Sequence, residues 1–136
     1  MQGIDYLKAF GVALALMIAN VAIAFGVMAI YGHLIAPGRE AAFYQEAALS
    51  IAPWSSVVAG ALLFFGAAFL FGVRRPGRSA TAFALTFTAI YVAIDLAIIA
   101  AVGGLGQQMA MMGLSFATKF GAALLGARQA SGAKAR

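Results

Sequence analysis

Cysteine is absent from all 136 residues. That excludes disulfides, thiolate metal sites, iron–sulfur ligation and cysteine nucleophiles, and it leaves the redox compartment open. Histidine occurs once, at His33, so a haem or imidazole metal site would need ligands from another chain. Acidic residues number four, and only 10% of the chain is charged, against roughly a quarter in ordinary soluble domains. With 64% of the residues hydrophobic, this shortage of charge excludes a soluble globular protein, a disordered chain and a disulfide-stapled secreted domain. No phosphate-binding or dinucleotide fingerprint occurs. Gly103-Gly104-Leu105-Gly106 lacks the preceding strand and the Lys-Ser/Thr ending that such loops require.

What is present is a set of long apolar runs. One bilayer crossing takes about 20 apolar residues, and four such runs nearly fill the chain as a single membrane domain over residues 1–136. They cover residues 10–35, 53–73, 80–102 and 109–125. The expected fold is an all-α, four-helix transmembrane bundle in up-down-up-down order. The first run contains a small-x-small tripeptide, Ala22-Ile23-Ala24, but it is longer than the about 7–15 apolar residues of a secretory signal, so a retained helix is expected. Between the first two runs lies a polar connector with Pro37-Gly38, Arg39, Glu40, Gln45 and Glu46. Phe43, Ala47 and Ile51 recur there at near-helical spacing, which fits a short interfacial helix as well as a solvated loop. Pro53 is expected to open the second helix, because a first-turn proline sacrifices no hydrogen bond. The Arg74–Arg78 stretch and the Gly103–Gln108 stretch read as turns, and the tail from Gly126 reads as frayed.

The net charge of +5 could suggest a nucleic-acid surface. The basic residues instead sit at the ends of apolar runs, so no nucleic-acid partner is expected. Lys8, Arg74, Arg75, Arg78, Arg128, Lys134 and Arg136 share one side of the predicted bundle, whereas the other side has Arg39 with Glu40 and Glu46. The positive-inside rule then places both termini in the cytoplasm, with the chain in the cell (inner) membrane.

Polar residues inside the runs are the candidate site. Asp95 sits within the third run, where an ionised carboxylate costs at least about 2.5–3.5 kcal/mol unless it faces the bundle interior or a partner. Thr81 and Thr88 precede it at intervals of seven and Tyr91 at four, which makes one polar stripe on a helix. The fourth run carries Lys119, with Ser115 one turn earlier. The lysine stem is long enough for an Asp95–Lys119 ion pair. The competing reading has the lysine snorkelling to the cytoplasmic face. Asn20, midway along the first run, is expected to hydrogen-bond across helices. Small residues at four-residue spacing (Ala22/Gly26, Ala68/Gly72 and Gly113/Ala117/Gly121) point to close helix packing, either internal or between subunits. Tyr31, His33 and Trp54 are expected together at the outer interface, as aromatic-belt anchors or as a frame for a quinone or lipid headgroup. Met109, Met111 and Met112 are read as apolar filler rather than soft-metal ligands.

Enzyme chemistry finds no set of residues here. An intramembrane aspartyl protease needs two carboxylates in one site, and Asp95 is the only acid in a run. No cofactor is expected. The expected role is a non-enzymatic accessory or structural subunit whose partners are the lipid bilayer and other membrane proteins or further copies of itself. The alternative is a small oligomeric proton- or cation-coupled transporter using Asp95, with Tyr91, Thr88 and Asn20 along its path.

Overall fold

A computed structural model describes residues 3–74, 79–103 and 109–133. Residues 75–78, which hold most of the basic turn, residues 104–108 of the second turn, and residues 134–136 of the tail lie outside the described residues. Among the described residues four α-helices make up the fold: α1 (Gly3–Ile30), α2 (Ala41–Val73), α3 (Ala80–Ala101) and α4 (Met109–Ala133). All four are long and apolar enough to cross a membrane, which suggests a multi-pass membrane protein.

The ends of these helices follow from local chemistry. α1 widens at its end into a π-helical turn, Tyr31–Ile35, closed by the Ala36 N–H donating to the Tyr31 carbonyl at 2.9 Å. Gly38 then takes a φ of +73°, which a side chain would strain, and the chain reverses. Tyr44 ties this turn together: its hydroxyl donates to the Ala36 carbonyl at 2.7 Å and accepts from the Arg39 N–H at 3.1 Å. Ser79 caps α3, its hydroxyl accepting from the Ala82 N–H at 3.1 Å.

Two boundaries differ from the sequence expectation. The connector is not a separate interfacial helix or a loop. Residues 41–52 form the first three turns of α2, which continues through Pro53. A proline removes one donor from the helical ladder, and α2 runs on through it; close by, the Ser50 and Ser55 hydroxyls bond the carbonyls of Ala47 and Ala52, at 3.1 and 2.9 Å. At the other end of the chain, the segment after Leu125 is helical as far as Ala133, with Gly126, Ala127 and Ala130 buried.

That burial comes from α2 and α4, the most closely packed pair. Gly60 lies against Lys119 and Gly72 against Ala130, so the two helices run in the same direction, as up-down-up-down order requires. A Cβ added to Gly126 would collide with the Phe65 carbonyl oxygen, and one added to Gly72 would come within 2.6 Å of Ala130 Cβ. Small residues here let two backbones approach closely. α1 packs on α2 and α3, α4 packs on the same two, and α1 and α4 sit on opposite sides. Between α2 and α3 stands a column of rings: Phe71–Phe83 at 6.0 Å, Phe83–Phe87 at 5.7 Å, Phe87–Phe64 at 5.8 Å and Phe64–Tyr91 at 4.9 Å. The outside is apolar on every helix, with Leu7, Ile18, Phe25, Leu62, Val58, Ile98 and Leu125 exposed. A water-soluble monomer rarely shows so extended an apolar surface.

Candidate functional site

Each helix contributes to one buried polar cluster halfway along the bundle. On α1, the positions repeating every three to four residues, Ala9, Ala13, Leu16 and Asn20, are buried. This turns the Asn20 amide inward. On α2, Ser56 reaches the same level: Asn20 and Ser56 each lie 17 residues from the helix ends at Gly3 and Val73 (residues 3 to 20 and 56 to 73). Tyr91 tops the ring column on α3. Ser115 and Lys119 occupy one face of α4, one turn apart.

Ser56 is the hub. Its hydroxyl oxygen accepts from Asn20 Nδ2 at 3.0 Å and from Lys119 Nζ at 3.1 Å. The same Asn20 nitrogen donates to the Tyr91 hydroxyl at 3.2 Å, and Lys119 Nζ also donates to Ser115 Oγ. The ammonium lies 5.3 Å from the centre of the Tyr91 ring, within cation–π range. Lys119 is wholly buried. Its stem runs back toward the Met109 end of α4, as helical side-chain geometry favours; it does not snorkel to the other face. Gly60 makes room for it, since a Cβ there would stand 2.7 Å from the lysine Cε. Asn20 Oδ1 is buried and accepts no hydrogen bond among the described residues.

Asp95 stands beside this cluster. It is half-buried and lines a cavity of about 140 Å³ together with Ser56 and Ser115, the two serines that hold the lysine. Pro53, Ile99, Met111, Met112 and Phe116 form the rest of the wall. The space is enough for several waters or one small solute. No direct bond joins Asp95 to Lys119 among the described residues. The lysine's near partners are hydroxyls and a ring instead.

The remaining sequence candidates are distributed as follows. Thr88 is fully buried, but its hydroxyl is spent on the Ala84 carbonyl of its own helix at 2.8 Å, so it supports α3 and takes no part in the cluster. Tyr31 stacks on Phe43 at 6.4 Å, and the exposed His33 ring bonds the Ala29 carbonyl through Nδ1 at 2.8 Å, both at the π-turn. Trp54 is exposed but is not beside them. It lies 13 residues into α2 from Ala41, about 20 Å along the axis at 1.5 Å per residue. Ser56 and Gly60 went unread in the sequence. Counting depth from the Val73 end would have brought Ser56 level with Asn20.

Chemically, the arrangement holds one buried cation by neutral acceptors and sets one carboxylate at an adjoining, mostly apolar cavity. Among the described residues, no group of three or more His, Asp or Glu side chains is placed to hold a metal ion. Set against known proteins, the chain matches no family model, no curated protein and no solved structure.

Proposed function

We propose that this protein is a small, non-enzymatic multi-pass subunit of the cell (inner) membrane, with both termini cytoplasmic, that works by packing against other membrane helices. The observation that carries this reading is the division of small residues on α4. Gly126, Ala127 and Ala130 are used up against α2. Gly113, Ala117 and Gly121 form a second four-residue repeat that points away from the bundle, and nothing lies within 4 Å of a Cβ built on either glycine. Small-residue faces of this kind let a second helix approach closely in lipid, where packing rather than hydrophobicity drives association. The test is affinity purification of the tagged chain from native membranes in mild detergent, with mass spectrometry of what comes along. A stoichiometric membrane partner, or further copies of the chain, is the expected result. A stable lone monomer overturns the reading.

A second reading, a small proton- or cation-coupled transporter, is favoured by one observation: Asp95 opens onto a cavity whose two serines hold the buried Lys119. Intramembrane acids commonly mark ion pathways. Asp95 would be the coupling carboxylate, with Asn20 and Tyr91 behind it. Solute flux in proteoliposomes that disappears in Asp95→Asn supports this reading, and flux that persists in the variant rejects it.

A further inference from the structure

Two cations at the terminal end of the bundle take no part in the polar core. Lys8 on α1 and Arg74 at the end of α2 are exposed and line one groove, of about 580 Å³, between α1, α2 and α3. Apart from these two, its lining is apolar. On α1 the stripe runs Lys8, then Gly11 and Val12, then Ala15, the spacing of one helix face. From the charge to Ala15 is about 10 Å along the axis. On α2, Phe71 precedes Arg74 by one turn and packs on Phe83 of α3 at 6.0 Å, giving the groove a rigid aromatic side. Gly11 adds space, since nothing stands within 4 Å of a Cβ built there. Asp5, the acid nearest in sequence, is buried on the neighbouring face of α1 with Ala9 and Ala13.

Positive charge at the helix ends, with a greasy channel leading inward from it, mirrors the polarity of an acidic phospholipid. We propose that this groove binds one anionic phospholipid from the leaflet that faces the termini. Lys8 and Arg74 grip its phosphate from two different helices, and one acyl chain lies along Val12, Ala15 and Phe83. Arginine's planar fork and lysine's compact charge both suit phosphate oxygens, and basic pockets between membrane helices select anionic headgroups. A general excess of positive charge would not require the two cations to share a groove. Arg128, also basic and exposed near the end of α4, lies outside the groove and provides the comparison.

This inference rests on the membrane-spanning reading, and the experiment separates the two. The full chain is reconstituted into nanodiscs of phosphatidylcholine with increasing phosphatidylglycerol, and retained lipid is counted by native mass spectrometry. Retention of one phosphatidylglycerol in preference to phosphatidylcholine by about tenfold or more is expected. Lys8→Gln with Arg74→Gln should bring the preference close to one, and Arg128→Gln should leave it unchanged. Ala15→Phe, which fills the groove and keeps both charges, should also abolish retention. Inorganic phosphate at millimolar concentration should not displace the lipid. Equal retention of both lipids by the wild-type chain, or an Arg128→Gln loss as large as the double variant's, overturns the groove while leaving the spanning reading intact. A chain that fails to enter nanodiscs overturns both.

Discussion

Ser56 joins groups from two other helices, Asn20 of α1 and Lys119 of α4, and the energetics of the core turn on it. A buried charge is tolerable in hydrocarbon only if its hydrogens find acceptors, and two of Lys119's partners are the Ser56 and Ser115 hydroxyls. Replacing Ser56 with Ala leaves the ammonium with Ser115 and the Tyr91 ring, and leaves Asn20 with Tyr91 alone. The expected cost is about 1–2 kcal/mol, the upper range for interhelical hydrogen bonds in membranes. Thr88→Val, which removes a hydroxyl bonded only to its own helix, should cost less than about 0.5 kcal/mol. Unfolding in mixed micelles titrated with denaturing detergent measures both, and equal losses would deny Ser56 its central place. Asp95 and Lys119 call for a double-mutant cycle. Lys119→Met removes the cation and leaves a carboxylate without compensation, whereas the pair Asp95→Asn with Lys119→Met removes both charges. The double variant should be more stable than the sum of the single losses predicts, by about 0.5–3 kcal/mol. Strict additivity would show that the two charges do not interact across the serines.

At the scale of the helices, what was legible in the sequence was whatever depends on apolar length. Four runs broken by Pro37-Gly38, by the basic stretch after Val73 and by the glycines after Val102 are four helices. Residues that are polar within those runs, Asn20, Tyr91, Ser115 and Lys119, meet in the core because burying them apart would cost more than burying them together. The helix boundaries were less legible. Pro53 signals a start in most contexts, yet α2 already begins at Ala41 and runs on through it, and taking Pro53 as the start set Trp54 beside Tyr31. The segment after Leu125, small and basic, reads as a frayed tail, but close packing against α2 holds it helical. That contrast sets a test on one helix. Gly126→Ala drives a Cβ into the α2 backbone and should cost about 1–3 kcal/mol. Gly121→Ala, facing outward with open space around it, should be neutral, or more stable by up to about 1 kcal/mol from helix propensity alone. Equal effects of the two in an unfolding titration would mean that the α2–α4 contact is not as close as described.

For the whole molecule, the distribution of charge and the direction of the helices make one joint statement. α2 and α4 run the same way, as do α1 and α3, whose early residues Lys8 to Ala15 and Phe83 share one groove and whose later residues Asn20 and Tyr91 meet. Gly3, Val73, Ala80 and Ala133 therefore gather at one end of the bundle, and the Tyr31–Tyr44 hairpin stands at the other. Lys8, Arg74 and Arg128 lie toward the first end, while Arg39, its guanidinium 5.5 Å over the Phe43 ring, accompanies Glu40 at the hairpin. Because orientation follows the lysine and arginine bias of short connections rather than net charge, the end holding Gly3 and Ala133 should face the cytoplasm. The absence of cysteine makes this simple to check, since single-cysteine variants carry no background thiol. Glu40→Cys should react with a membrane-impermeant maleimide in intact cells, and Ser131→Cys only after the cells are opened or the vesicles inverted. If Ser131→Cys labels in intact cells and Glu40→Cys does not, the molecule is inserted the other way up. If both label from the same side, an even number of crossings instead of three separates Glu40 from Ser131, and the four-helix bundle is not the membrane-spanning unit.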